Sequence, residues 1–396
     1  MLVFSKITRL VSVLLLLTSA NAYAQSSIAD ILSSVEKSNL RLQSLKHSNE
    51  ADVLDLRADN ALAGPAVEYS PFYSKDYSGV ASSELIISEE IDFPTKYANR
   101  RKQADLKSEI LDNEYAAARR DILLEAELLC LDIIRSNKLN ALLRQRMERA
   151  ETVIALYDKK MKAGDADILT YNKAKMEKMT VANAQAEAES EQQELLRALQ
   201  TLNGGKSITL TATDFPERTI DIDFPTFMQH SLSINPDILA AQSNVKASEH
   251  DVASSRQSWL PSIKAGYRRN TAEREAQNGF MVGASFPLFS TSSAVKAAKQ
   301  RQLSAQLALD DSRQQAEAEL RSRYDELLHL RKSIDQMDNS LLTETISLLD
   351  KALNYGQINA LEYYTEIDNI YSTLLSNIDL QHRYHKLLAT LYKDEL

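Results

Sequence analysis

The longest uninterrupted pattern runs from about Asn99 to Met161, a stretch without Gly or Pro. At about 1.5 Å per residue it predicts a helix of roughly 95 Å. Leu143, Met147, Ala150, Ile154, Tyr157 and Met161 step by 4, 3, 4, 3 and 4 along its second half. That seam marks a helix packed lengthwise on others. Before it, Ile28–Ala63 reads as helical, and Val67, Tyr69 and Tyr73 fall on alternating positions. In Val80–Phe93 the alternation is clearer. Leu85, Ile87, Ile91 and Phe93 share one face, and Glu84, Ser88, Glu90 and Asp92 share the other, as in a strand between apolar and aqueous surroundings. Lys162-Ala163-Gly164-Asp165 breaks the long helix, a return helix covers about 167–202, and Gly204-Gly205 closes it.

The pattern then starts again. Asn39 and Pro65 match Asn235 and Pro261 at an offset of 196, and Phe93-Pro94 matches Phe286-Pro287 at 193. Asp158-Lys159, Gly164, Leu169, Tyr171 and Leu195-Leu196 match Asp350-Lys351, Gly356, Leu361, Tyr363 and Leu387-Leu388 at 192. So small a drift fits into loops, and the chain is an internal duplication. The first repeat takes 25–205 (strands 66–93, long helix 99–161, return helix 167–202). A connector takes 206–227, and the second repeat 228–396 (strands 262–289, long helix 292–354, return helix 358–394). Each repeat is helix, strand, strand, very long helix, turn, return helix. The fold class is mainly α, with long antiparallel hairpins and four strands per chain.

Residues 1–24 read as a secretory signal peptide, with Lys6 and Arg9, an apolar run over Leu10–Leu17, and Ala22-Tyr23-Ala24 before the cut. A secreted chain with two-faced hairpins of this length suits membrane-spanning β strands. Four strands cannot close in lipid, where no backbone edge can stay unpaired. Copies of the same chain must complete them: two give 8 strands, three give 12. The face of Leu85 and Ile87 is then expected to meet lipid, and that of Glu84, Ser88 and Glu90 to meet water.

Composition narrows the rest. The net charge of −9, without a basic run, makes the chain a poor nucleic-acid binder, and no nucleic-acid partner is expected. The one cysteine, Cys130, allows no intrachain disulfide and reads as a small core residue. His382 and His385 stand at i, i+3 without a third ligand, so no metal or cofactor is assigned and a solvated helix face is expected. No phosphate loop, nucleophile elbow or metalloprotease helix is present, and no residue is a catalytic candidate. The ending Lys393-Asp394-Glu395-Leu396 spells an ER-retention signal, which keeps a lumenal coiled coil as a rival. A periplasmic coiled coil without a pore is a second.

The stretches Lys160–Leu169 and Leu353–Leu361, the Asp92-Phe93-Pro94 and Phe286-Pro287-Leu288-Phe289 joints, and the repeated element order resemble the TolC-type outer-membrane efflux family. The resemblance implies a homotrimer whose 12 strands form one barrel in the outer-membrane lipid and whose helices form a periplasmic tunnel. It implies a periplasmic adaptor and an inner-membrane pump as partners. On that footing Gly164, Leu169, Tyr171, Gly356, Leu361 and Tyr363 mark the hairpin tips and an adaptor-docking surface. Both glycines are expected to be left-handed, and Leu169 and Leu361 to pack between the hairpin helices. Glu362, with Asp165 and Asp167 near the other tip, is the expected acidic gate.

Overall fold

A computed structural model describes residues 27–75, 78–165, 168–218, 223–272, 275–287 and 291–396. The leader assigned to 1–24 lies outside them. The first repeat runs α1 (Ile28–Ser38), α2 (Leu40–Ala58), β1 (Ala66–Tyr73), β2 (Val80–Asp92), α3 (Pro94–Ala163) and α4 (Ile168–Leu202). The second runs α5 (Phe224–Ile234), α6 (Pro236–Arg256), β3 (Ser262–Ala272), β4 (Glu275–Ser285), α7 (Thr291–Asp335), α8 (Asn339–Asn354) and α9 (Ala360–Leu391). A 3-10 turn over Lys393–Glu395 follows α9.

The long helix is longer than its pattern suggested. Pro94 starts it, because proline presets the helical φ and lacks an N–H that would be orphaned there. Its 70 residues span about 105 Å. Two stretches expected as single helices are divided. In the first, Asn39 takes an extended backbone (φ −66°, ψ 118°), and its side chain accepts the Leu42 N–H at 3.0 Å, starting α2 afresh. Asn235 does the same for α6, accepting from the N–H groups of Asp237 and Ile238. The duplicated asparagine is therefore a duplicated N-cap. In the second, the helix expected over 292–354 stops at Asp335, and Asp338 caps α8 through the Leu341 N–H at 2.9 Å. The matching position of α3 is Arg146, which has no acceptor to offer a backbone N–H, and α3 runs on.

The connector assigned to 206–227 is shorter than expected, since α5 begins at Phe224. The Asn137 amide straps it to α3, donating to the carbonyls of Leu210 (3.1 Å) and Ala212 (2.8 Å). The return helix assigned to 358–394 is α9, ending at Leu391.

Shorter helices stack end to end beside α3. The C-terminus of α4 meets the α1–α2 joint, where Asn39 donates to the Leu202 carbonyl (2.9 Å) and Ser34 to Asn203 (2.8 Å). Ile31, Val35, Leu42, Ile122, Ala126, Cys130 and Leu199 form the core there. Burial pushes the Cys130 thiol up to about 12, far from the thiolate a reactive cysteine needs. The last residues are built into the same body. Arg120 pairs with Asp394 (3.1 Å), Asn235 donates to Asp394 (3.0 Å), and Arg119 donates to the Leu396 carbonyl. Lys393–Leu396 is thus packed structure rather than a free retention signal.

The strands form one antiparallel sheet in the order β1-β2-β3-β4. Its register gathers Val67, Tyr69, Leu85, Ile87, Ile91, Ile263, Tyr267, Phe280 and Val282 on one face. Glu68, Ser70, Glu84, Glu90, Lys264, Arg268 and Asn270 share the other, where Arg268 pairs with Glu84 and Ser262 donates to Glu90. Two charged residues break the apolar face, Glu89 between Ile87 and Ile91, and Arg269 opposite Leu85, and the polar Ser83, Thr271 and Asn278 lie toward one end of it. Both end strands are open along the chain. Phe93, expected inside a strand, is the N-cap of α3, and of the second joint Leu288 and Phe289 lie outside the described residues.

Ser88 is buried against Gly266, where even a Cβ would lie 2.9 Å from its own Cβ. A large substitution at Ser88 therefore reports on crowding rather than on which face is wet. Ile87 and Glu68 make the clean comparison. Ile87→Arg should cost about 2–4 kcal/mol of barrel stability and Glu68→Arg little. The temperature at which the oligomer dissociates on gels checks this. Equal loss at both positions would contradict the assigned faces.

Candidate functional site: the inner ends of the helical hairpins

The helices α3 and α8 end the same way. Gly164 takes φ +81°, its N–H bonding to the Met161 carbonyl (3.1 Å) while the Asp165 N–H reaches Lys160 (2.8 Å). Gly356 takes φ +71°, with the same pair of bonds to Leu353 (3.1 Å) and Ala352 (2.9 Å). This is the Schellman arrangement, in which a left-handed residue lets two orphan carbonyls be satisfied, and glycine alone adopts it without a Cβ penalty.

The leucines beyond the glycines do not pack between the helices. Leu169 is 77% exposed and Leu361 60%. The first turn of α9 directs Ala360, Tyr363 and Tyr364 inward at i, i+3 and i+4, which leaves position 361 facing out. In α4 the inward position is Ala174, with Tyr171 half-buried beside it. Of the two tyrosines expected at the docking surface, Tyr363 is core. Its hydroxyl donates to Asp350 (2.7 Å), and burial raises its pKa. Tyr171 carries Lys175 over its ring at 4.3 Å.

Glu362 has a local task at the start of α9. Its carboxylate accepts the Asn359 N–H (3.2 Å), and the Asn359 side chain accepts the Glu362 N–H (3.0 Å), forming a capping box. Asp165 is exposed at the other tip, and Asp167 lies outside the described residues. Glutamine can keep such a box whereas alanine cannot, so substitutions separate cap from charge. Glu362→Ala should lower stability by about 1 kcal/mol and Glu362→Gln by a few tenths. A change in ion selectivity common to both would then belong to the charge. Equal loss of stability in both variants would rule out the cap.

A denser cluster lies further from the tips, where α3 crosses α9. Arg146 reaches Glu177 of α4 (2.6 Å) and Asp368 of α9 (2.5 Å), with its guanidinium 4.9 Å over the Tyr371 ring. Arg149 reaches Asp350 of α8 and donates to the Tyr371 hydroxyl, both at 3.2 Å. Higher up, Arg135 pairs with Asp379 (2.8 Å), and Asp132 with His382 (2.5 Å) and Lys386 (3.0 Å). Asp132 is held below its usual range by these two partners against its own burial. His382 and His385 are therefore packed, not on a solvated face. His385 stacks on Phe215 (4.9 Å), and burial, aided by Lys138, lowers its pKa to about 4. A ladder of ion pairs thus joins the hairpin of one repeat to that of the other. Sequence periodicity does not reveal it, because the arginines at 135, 146 and 149 and the acids at 368 and 379 lie far apart in the chain. Among the described residues, no cluster suits a metal ion, and no helix is long and apolar enough to cross a membrane.

Comparison with known proteins fits this architecture. The profile of the outer membrane efflux protein family matches residues 227–393, nearly all of the second repeat. That match covers less than half of the chain and lies in its second half. Solved structures share the fold along almost the whole chain. A membrane protein from Pseudomonas aeruginosa is 21% identical with a TM-score of 0.77, the match covering 93% of this chain and 89% of that one. The open state of the Neisseria gonorrhoeae MtrE outer membrane channel is 16% identical, TM-score 0.77, covering 93% and 88%. The Campylobacter jejuni CmeC outer membrane channel is 15% identical, TM-score 0.75, covering 93% and 85%. No curated protein sequence matches. The fold is that of outer membrane channel structures.

Proposed function

We propose that three copies of the chain close one barrel of 12 strands and one helical tunnel, a passive duct through the outer membrane. The observation that carries this is the four-stranded sheet with one apolar face and two open edges. In lipid both edges must be paired, and β1 of one copy against β4 of the next does so without a foreign partner. A coiled coil without a pore leaves that apolar face unexplained.

The exposed Leu169 and Leu361 at the tips supply apolar anchors for a periplasmic adaptor. An inner-membrane pump supplies the energy for transport through such a passive duct. The ion-pair ladder between the hairpins acts as the latch of the closed state, and the acids Asp165, Asp167 and Glu362 add a field that favours cations. Reconstitution in planar bilayers tests the reading. Discrete conductance steps, blocked or biased by cations added to the tip side, are expected. Inserted protein that conducts nothing under any salt or voltage would contradict it.

A further inference from the structure

Within the chain, the lower helices lie side by side in the order α4, α3, α9, α8. The two outermost, α4 and α8, each carry an apolar stripe left exposed by the described residues. On α8 it is Leu341 and Leu348, with Tyr355 at the cap that follows, each seven residues apart, and on α4 it is Met176 and Met179. The duplication tells what covers them. At the offset of 192, α8 is the counterpart of lower α3, and α4 is the counterpart of α9.

The same repeat position is covered in one place and bare in the other. Tyr371 of α9 is 1% exposed beneath Arg146 and Arg149, while its counterpart Met179 is 65% exposed. Leu156 of α3 packs into the core of the hairpin ends, while its counterpart Leu348 is 63% exposed. The packed pair α3–α9 is thus a template for an unmade pair, α8 of one copy against α4 of the next.

Resting on the reading of the duct as an assembly of identical copies, we propose that these two stripes form the inter-subunit seam. Its register is that of α3 on α9. Leu341 then takes the place of Arg149 and meets Met179, which takes the place of Tyr371. Leu348 follows on the same face of α8, and Met176 takes the place of Asp368. The two seams of the closed tunnel therefore differ in chemistry. Inside each subunit the seam adds ion pairs to its apolar core, through Arg146, Arg149, Asp350 and Asp368. Between subunits it is a leucine–methionine contact, which salt does not screen. Raised salt should loosen the first and leave the second closed.

The test is site-directed cross-linking in the full chain, with Cys130 replaced by alanine. Leu341→Cys and Met179→Cys are introduced together, and also singly in two chains that are then mixed. A short bismaleimide should link the double variant into a ladder ending at the closed ring, and should link mixed single variants into dimers. Linkage should persist at high salt. The native mass of the unlinked protein is read in parallel. An assembled protein that gives no link at this pair, but links Leu341→Cys to a position elsewhere on α4, overturns the register. Loss of linkage in high salt, with the assembly intact, overturns the apolar seam. A monomeric mass instead removes the assembly itself, a different failure.

Discussion

Replacing Gly204 by valine should destabilise the protein by about 2–5 kcal/mol, far more than the same change at its neighbour Gly205. Both glycines are left-handed, at φ +63° and +84°, and each substitution carries a backbone penalty of about 1–2 kcal/mol. Their surroundings differ. A Cβ on Gly204 would stand 2.3 Å from the Ser38 carbonyl oxygen, whereas around Gly205 there is nothing within 4 Å. The clash is with backbone, which cannot rotate away, and overpacking adds about 1–3 kcal/mol. Ser38 ends α1, so the displaced joint is the one that stacks α1 and α2 above α4. The midpoint of thermal unfolding, followed by the helical circular dichroism signal in detergent, separates the two variants. Equal losses at 204 and 205 would show that the joint tolerates separation.

The second large effect concerns the latch. Removing Arg146 and Arg149 together should shift the closed–open balance of the tunnel by about two orders of magnitude. Arg146 is partly shielded and joins three elements, while Arg149 links α3 to α8 and to Tyr371. Together the partly shielded pairs of one subunit are worth about 1 kcal/mol net. Three subunits opening together multiply this to about 3 kcal/mol, and about 1.4 kcal/mol is a tenfold change. The Arg146→Ala/Arg149→Ala protein should therefore leak in bilayers at low salt, where the wild type stays shut. The wild type should approach it as salt is raised, since exposed pairs are screened. A double variant as tight as the wild type would remove the ladder from gating.

Much of this fold is written in periodicity. The alternation of Leu85, Ile87 and Ile91 against Glu84, Ser88 and Glu90 placed both faces of the sheet, because a strand has only two. The duplication was equally plain, and left-handed Gly164 and Gly356 followed from their place at helix ends. Helix breaks were harder to read. Asn39 and Asp338 interrupt stretches free of Gly and Pro because a short polar side chain caps a new helix as effectively as proline stops an old one. The orientation of Leu169 and Leu361 escaped the pattern because, within a single turn, the helical phase depends on which residue starts the helix. The latch partners are 222 and 201 residues apart, as in Arg146–Asp368 and Arg149–Asp350, and only the fold brings them together. The role of Glu362 as a cap was within reach, since Asn359 stands three residues before it.

The most direct test of the duct is the mass of the native particle. Protein extracted from outer membranes in mild detergent, kept cold and unheated, is measured by native mass spectrometry. A single species of three chains is predicted, because three sheets of four strands close one barrel and leave no edge. A stable particle of one or two chains, with its apolar sheet face still in detergent, would contradict the account.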